Sequence, residues 1–144
     1  TASPGTKKLL AAFQRSYASP DCVKAFGASY AIETWAAWGI DRGELEEKNF
    51  WYGLIRGTKG YNERRLVSSE AVPQDFFEGH FNLERGHADI VLGALEKVYY
   101  HVRFDPNRII QGGKIALDGM LAFWDGLNTS RKRLAYTKFE RMDV

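Results

Sequence analysis

One stripe constrains this chain more than any other feature. Positions 76, 80, 84, 87, 91, 95 and 98 recur at steps of four and three and hold Phe76, His80, Glu84, His87, Val91, Leu95 and Val98. That spacing lies along one face of an α-helix. The apolar ends of the stripe must face a core. A helix does not turn its face halfway along, so the polar middle is carried into the same interior. Burying a carboxylate without a partner costs on the order of several kcal/mol. Glu84 therefore needs a hydrogen-bond network or a cation. In the first case the histidines are satisfied core residues, and Glu84 bonds to one of them, to Arg85 or to a neighbouring helix. In the second case a divalent metal satisfies His80, Glu84 and His87 together. Glu-x-x-His on inward helical faces is a known way of presenting metal ligands in bundles.

A second stripe repeats the pattern. Phe26, Tyr30, Glu33, Ala37 and Ile40 share a face, and one carboxylate again interrupts it. No Lys or Arg stands three or four positions from Glu33 on either side, so no intrahelical ion pair explains it. The alternative is a partly exposed glutamate near the Tyr30 hydroxyl. Small residues at Gly27, Ala28, Ser29 and Ala31 let another helix approach closely. A third stripe, Ile109, Gly113, Ala116, Met120, Phe123 and Leu127, contains no ionisable group and reads as packing alone.

Around these stripes the chain is punctuated as a helical protein. The expected helices cover 6–18, then from "SPD" at 19–21 to about Ile40, then 44–57, about 73–101, and 106 to about 127. Ser19 is the expected cap of the second and Pro20 its first residue. Residues 57–72 read as a loop, with "RRLVSS" (64–69) as a possible short strand. "FDPN" at 104–107 is a turn, which favours antiparallel packing of the two helices that it joins. Residues 129–144 read as a basic tail. The fold class expected is all-α, in one helical domain with its core at about 20–128.

The length of 144 residues suits one domain with a real core. A net charge of +2 gives no strong case for nucleic acid. No apolar run approaches the roughly 18–20 residues of a membrane span. The single cysteine, Cys22, allows no internal disulfide, which fits a reducing, cytoplasmic setting.

Three segments together, "GASYAIE" (27–33), "FFEGHFNLERGH" (76–87) and "LAFWDGL" (121–127), resemble the haem-oxygenase-like di-iron oxidases, also called iron-containing redox enzymes. The resemblance covers about residues 20–128 and implies a haem-oxygenase-like helical bundle. It makes Glu33, His80, Glu84 and His87 iron ligands, with Glu84 where many members carry Asp. It implies Fe(II), one ion or two, with dioxygen as co-substrate. The products would be those of an oxidase or oxygenase acting on a small amine, amino acid or fatty acid. Early helices of the family supply further ligands, yet residues 1–19 hold no Asp, Glu or His. The chain is thus expected to be the C-terminal part of such a domain, incomplete at the N-terminus. A second chain, as in a homodimer, or a preceding segment would complete the site.

Tyr30, Trp35, Phe77 and Phe81 are candidates to line a substrate pocket, against the plainer reading of core aromatics. Two further readings stand beside the oxidase. One is a metal-free binding or hydrolytic module of the kind that acts on thiamin or quinone precursors, for which Cys22 is the only thiol nucleophile. The other is a scaffold that has lost its site.

Overall fold

In a computed structural model of the chain, the described residues are 2–40, 42–64 and 71–140, excluding the side chains of residues 85 and 134–140. Most of these residues are helical, and none of them lies in a strand. The elements are α1 (Pro4–Tyr17), α2 (Cys22–Ala36), a 3-10 helix (Gly43–Lys48), α3 (Phe50–Glu63), α4 (Asp75–Val102) and α5 (Pro106–Glu140). They gather into two compact units. One takes α1, α2 as far as Ala31, and α5; the other runs Ile32–Arg103.

The first unit is built on close helix contacts. Ser3 caps α1, accepting from the N–H of Thr6 at 3.1 Å. The side chain of Asp21, rather than that of Ser19, caps α2: its Oδ1 accepts from the N–H groups of Val23 (3.1 Å) and Lys24 (3.3 Å). Ser19 instead accepts from the N–H of Asp21 at 3.1 Å. Arg108, in the first turn of α5, donates from Nε to Asp21 Oδ2 at 3.0 Å and from Nη2 to Oδ1 at 2.6 Å. This bidentate pair holds the Asp21 carboxyl below its ordinary range.

Along α5, Gly112, Gly119 and Gly126 recur every seven residues and let other helices approach to backbone contact. A Cβ at Gly119 would lie 2.5 Å from Ala12 Cβ, and one at Gly126 would lie 3.2 Å from Gly5 Cα. A Cβ at Gly112 would run into the Lys24 carbonyl, and one at Gly27 into the Ile109 carbonyl. The buried stripe of α5 thus consists of glycines with Ala116, while Leu127, expected within it, is 43% exposed. Small residues win because the helix axes come closer than large side chains permit. Cys22, read as a plain buried residue or a nucleophile, is exposed at the start of α2.

The second unit turns on Asn49. Where one helix was expected over 44–57, the chain makes the 3-10 helix, stops at Asn49 and restarts as α3. Asn49 is 2% exposed. Its Oδ1 caps α3, accepting from the N–H groups of Trp51 (2.8 Å) and Tyr52 (3.2 Å). Its Nδ2 donates to the carbonyls of Ala36 (2.8 Å) and Trp38 (2.7 Å), tying the end of α2 to the start of α3. The chain between them turns through Gly39 at φ +89°, and α2 ends at Ala36 rather than Ile40.

α3 also runs on through Gly57 and Gly60 to Glu63, where a loop was expected. Asn62 then makes two hydrogen bonds of 2.9 Å to the backbone of Val72, joining α3 to the approach to α4. The stretch read as a strand lies outside the described residues, except Arg64, the C-cap of α3. α4 ends at Arg103, whose φ of 53° is left-handed. α5 continues to Glu140, well past Leu127. Residues 129–133, polar and exposed, continue α5 as a solvated helix. Each long helix finds a packing partner inside its own unit: α1 for α5 and α3 for α4.

The glycine contacts make a graded test. Gly112→Ala should lower stability by about 1–3 kcal/mol through overpacking. Gly57→Ala, where a Cβ meets nothing within 4 Å, should raise it by about 0.5–1 kcal/mol. Urea unfolding of the full chain measures both; equal effects at the two positions would contradict this packing.

Candidate metal centre

Three helices of the second unit build one cluster. The last turns of α2 carry Glu33, α4 carries Glu84 and His87 one turn apart, and Asn49 and Trp51 lie at the start of α3. Ligand atoms of Glu33, Glu84 and His87 lie within 4.8 Å of one another. His87 Nδ1 is 3.5 Å from Glu33 Oε2 and 3.6 Å from Glu84 Oε2. These distances are too long for good hydrogen bonds. They suit three donors around one cation: ligand bonds of roughly 2.0–2.2 Å place neighbouring donor atoms roughly 3–4 Å apart.

The two oxygens of Glu84 differ. Oε1 accepts from the Trp51 indole N–H at 2.7 Å. Oε2 is buried, has no hydrogen-bond donor among the described residues, and lies 3.6 Å from His87 Nδ1. The Glu84 side chain is 5% exposed, against 31% for Glu33 and 42% for His87. The cluster is therefore closed at Glu84 and open at the other two ligands. Burial pushes the Glu84 carboxyl up from its ordinary value of 4.5, and the facing Glu33 carboxylate pushes it the same way. The Trp51 N–H and the nearby His87 oppose the shift. In the absence of a cation, a proton shared between the two carboxyls is the other way to satisfy Oε2.

His80, the fourth expected ligand, is not in this group. Its Nδ1 donates to the Phe76 carbonyl at 2.7 Å. Its ring lies 4.8 Å from that of Trp51 and 4.1 Å from that of Phe76. The carbonyl one turn back and the stacked indole hold it away from the cluster. The Arg85 side chain, an alternative partner for Glu84, lies outside the described residues.

The proposed pocket residues are mostly engaged with other aromatics. Trp35 packs on Phe50 (4.8 Å between ring centroids), Phe81 on Tyr52 (6.3 Å) and Phe77 on Phe76 (5.5 Å). Tyr30 stands one turn before Glu33 on α2, in the other unit. Sequence reasoning missed Asn49 and Trp51. Asn49 was legible, since an Asn followed by an aromatic run is a helix-start signal. Nothing in the sequence pairs Trp51 with Glu84, 33 residues away.

The raised Glu84 value predicts a pH dependence. The folded chain holds this proton more tightly than the unfolded chain does. Its contribution is therefore complete below the ordinary value of 4.5 and declines as pH rises through the raised native value. Glu84→Gln keeps an acceptor for Trp51 and removes the buried charge. In chelator, the variant should be more stable than the parent at neutral pH, and this component of the decline should vanish. Thermal unfolding from about pH 4 to about pH 8 tests it; an unchanged profile would contradict the assignment.

Comparison of the chain with protein-family models, curated protein sequences and solved structures finds no match.

Proposed function

We propose that Glu33, Glu84 and His87 bind a divalent metal, Fe(II), in a dioxygen-activating oxidase or oxygenase that acts on a small amine, amino acid or fatty acid. The observation that carries the metal reading is Glu84 Oε2, a buried oxygen without a donor among the described residues that faces a second carboxylate and an imidazole. A cation supplies what all three groups lack. The choice of iron and dioxygen rests on the resemblance of "GASYAIE", "FFEGHFNLERGH" and "LAFWDGL" to the di-iron oxidases and on the chemistry of the donors. Carboxylate and imidazole together suit non-haem iron and leave positions open. Bound there, iron would supply a redox couple and a binding position for dioxygen.

The chain's own residues divide the work. Trp51 fixes one oxygen of Glu84, so the other is held toward the ion position. Glu33 and His87 stand on the open side, where a small molecule can reach. His80 remains near by as an imidazole whose Nε2 is not committed to the Phe76 carbonyl. Three ligands hold one ion, whereas a two-iron centre wants about six. On this reading the chain supplies one metal position, and a second needs carboxylates or imidazoles from elsewhere.

A metal-free alternative is favoured by one observation, the raised proton affinity of Glu84 beside Glu33. Such a pair is a candidate general acid and base in a binding or hydrolytic module.

Anaerobic titration with Fe(II) separates the two. The expected result is about one ion per chain, abolished in Glu33→Gln, Glu84→Gln and His87→Ala and retained in His80→Ala. The loaded chain should then consume dioxygen. A chain that binds no Fe(II), or whose binding survives Glu84→Gln, would remove the metal reading and leave the carboxyl pair.

A further inference from the structure

We propose that the outward seam of α4 is the interface of an antiparallel homodimer of this chain. The inference does not depend on the metal reading.

A second periodicity runs along α4 beside the stripe that carries the ligands. Phe76, Leu83 and Ile90 recur every seven residues, and Gly79, Gly86 and Gly93 follow each of them by three. Two interleaved heptad positions, three and four residues apart, make a seam along which helices pair. The large residues stand in solvent: Phe76 and Leu83 are 59% exposed and Ile90 is 69% exposed. A Cβ added at any of the three glycines would meet nothing within 4 Å. Glycine inside an exposed helix is unfavourable relative to alanine, and no described residue of this chain packs into the space it leaves. The chain itself shows what such a seam does when a helix is present. On α5, glycines at the same seven-residue spacing hold other helices at backbone contact.

The register identifies the occupant. A two-fold axis between Glu84 and Arg85 generates a second α4 running the opposite way. Phe76 then faces the partner's Gly93, Gly79 faces the partner's Ile90, and Leu83 faces the partner's Gly86. Symmetry repeats the three pairs, which gives six layers over about 26 Å. Every layer sets one large side chain against one glycine. A parallel pair in register would set phenylalanine on phenylalanine and glycine on glycine, alternating collision with void. The order of large and small residues thus fits its own reverse. Pairing would also cover a row of apolar side chains that a soluble chain otherwise leaves in water. One flank carries Asp75, Asn82, Asp89 and Glu96. Across the axis acids meet acids, so added salt should tighten the dimer.

Sedimentation equilibrium of the full chain tests the seam. The parent should dimerise reversibly, more tightly at higher salt. Gly86→Leu sets leucine against the partner's Leu83 and should raise the dissociation constant at least about tenfold. Its circular dichroism should be unchanged, because the position is open within a single chain. Leu83→Gly leaves a void and should also weaken the dimer. The double variant Leu83→Gly/Gly86→Leu exchanges large for small in the central layers and should restore most of the affinity. A parent that stays monomeric up to about 100 μM, weaker than the micromolar range of ordinary transient pairs, would overturn the proposal. So would a dimer indifferent to Gly86→Leu, or a double variant no better than either single change.

Discussion

A buried carboxylate with one satisfied oxygen organises the second unit. Glu84 cannot turn away, because it is buried on one helical face with Leu95, although Phe76, at the other end of the stripe and expected in the core, is 59% exposed. Trp51 answers one oxygen with a short hydrogen bond. The other meets a like charge at Glu33 and an imidazole too distant for a good hydrogen bond. Left so, the arrangement carries the penalty of an uncompensated buried charge. A cation or a shared proton removes it, and those two answers are the two functional readings.

The support behind Glu84 forms a continuous chain. Asn49 ties the end of α2, and so the helix that bears Glu33, to the start of α3. The same side chain caps α3 and sets the turn in which Trp51 sits. Trp51 reaches Glu84 and stacks on His80. Orientation of ligands by such outer partners is what distinguishes a built site from a chance meeting of acids. Two of the three ligands remain partly open to solvent, as a site that admits a small molecule requires.

The sequence made the convergence of Glu33, Glu84 and His87 legible, because each interrupts an apolar stripe at helical spacing and such stripes must face cores. It did not make the exclusion of His80 legible. One turn of helix separates His80 from Glu84, and spacing alone cannot tell a ligand from a ring that bonds to the carbonyl four residues back. The helical class was plain from periodicity, but boundaries near glycines were not. Gly57 and Gly60 read as breakers yet lie inside α3, since an exposed helix tolerates glycine at modest cost. The seven-residue glycine series on α4 and α5 went unread for a related reason. Attention to large apolar residues hides packing made of absent side chains.

The central claim is that Glu33, Glu84 and His87 form a cation site. Anomalous diffraction at the iron edge, from crystals grown anaerobically with Fe(II), tests it most directly. The account predicts one strong peak about 2.0–2.3 Å from a carboxylate oxygen of Glu33, from Glu84 Oε2 and from His87 Nδ1, as ligand bonds require. It also predicts that Trp51 stays bonded to Glu84 Oε1. No peak there, or a peak at His80 with Glu33 and Glu84 sharing a proton instead, would contradict it.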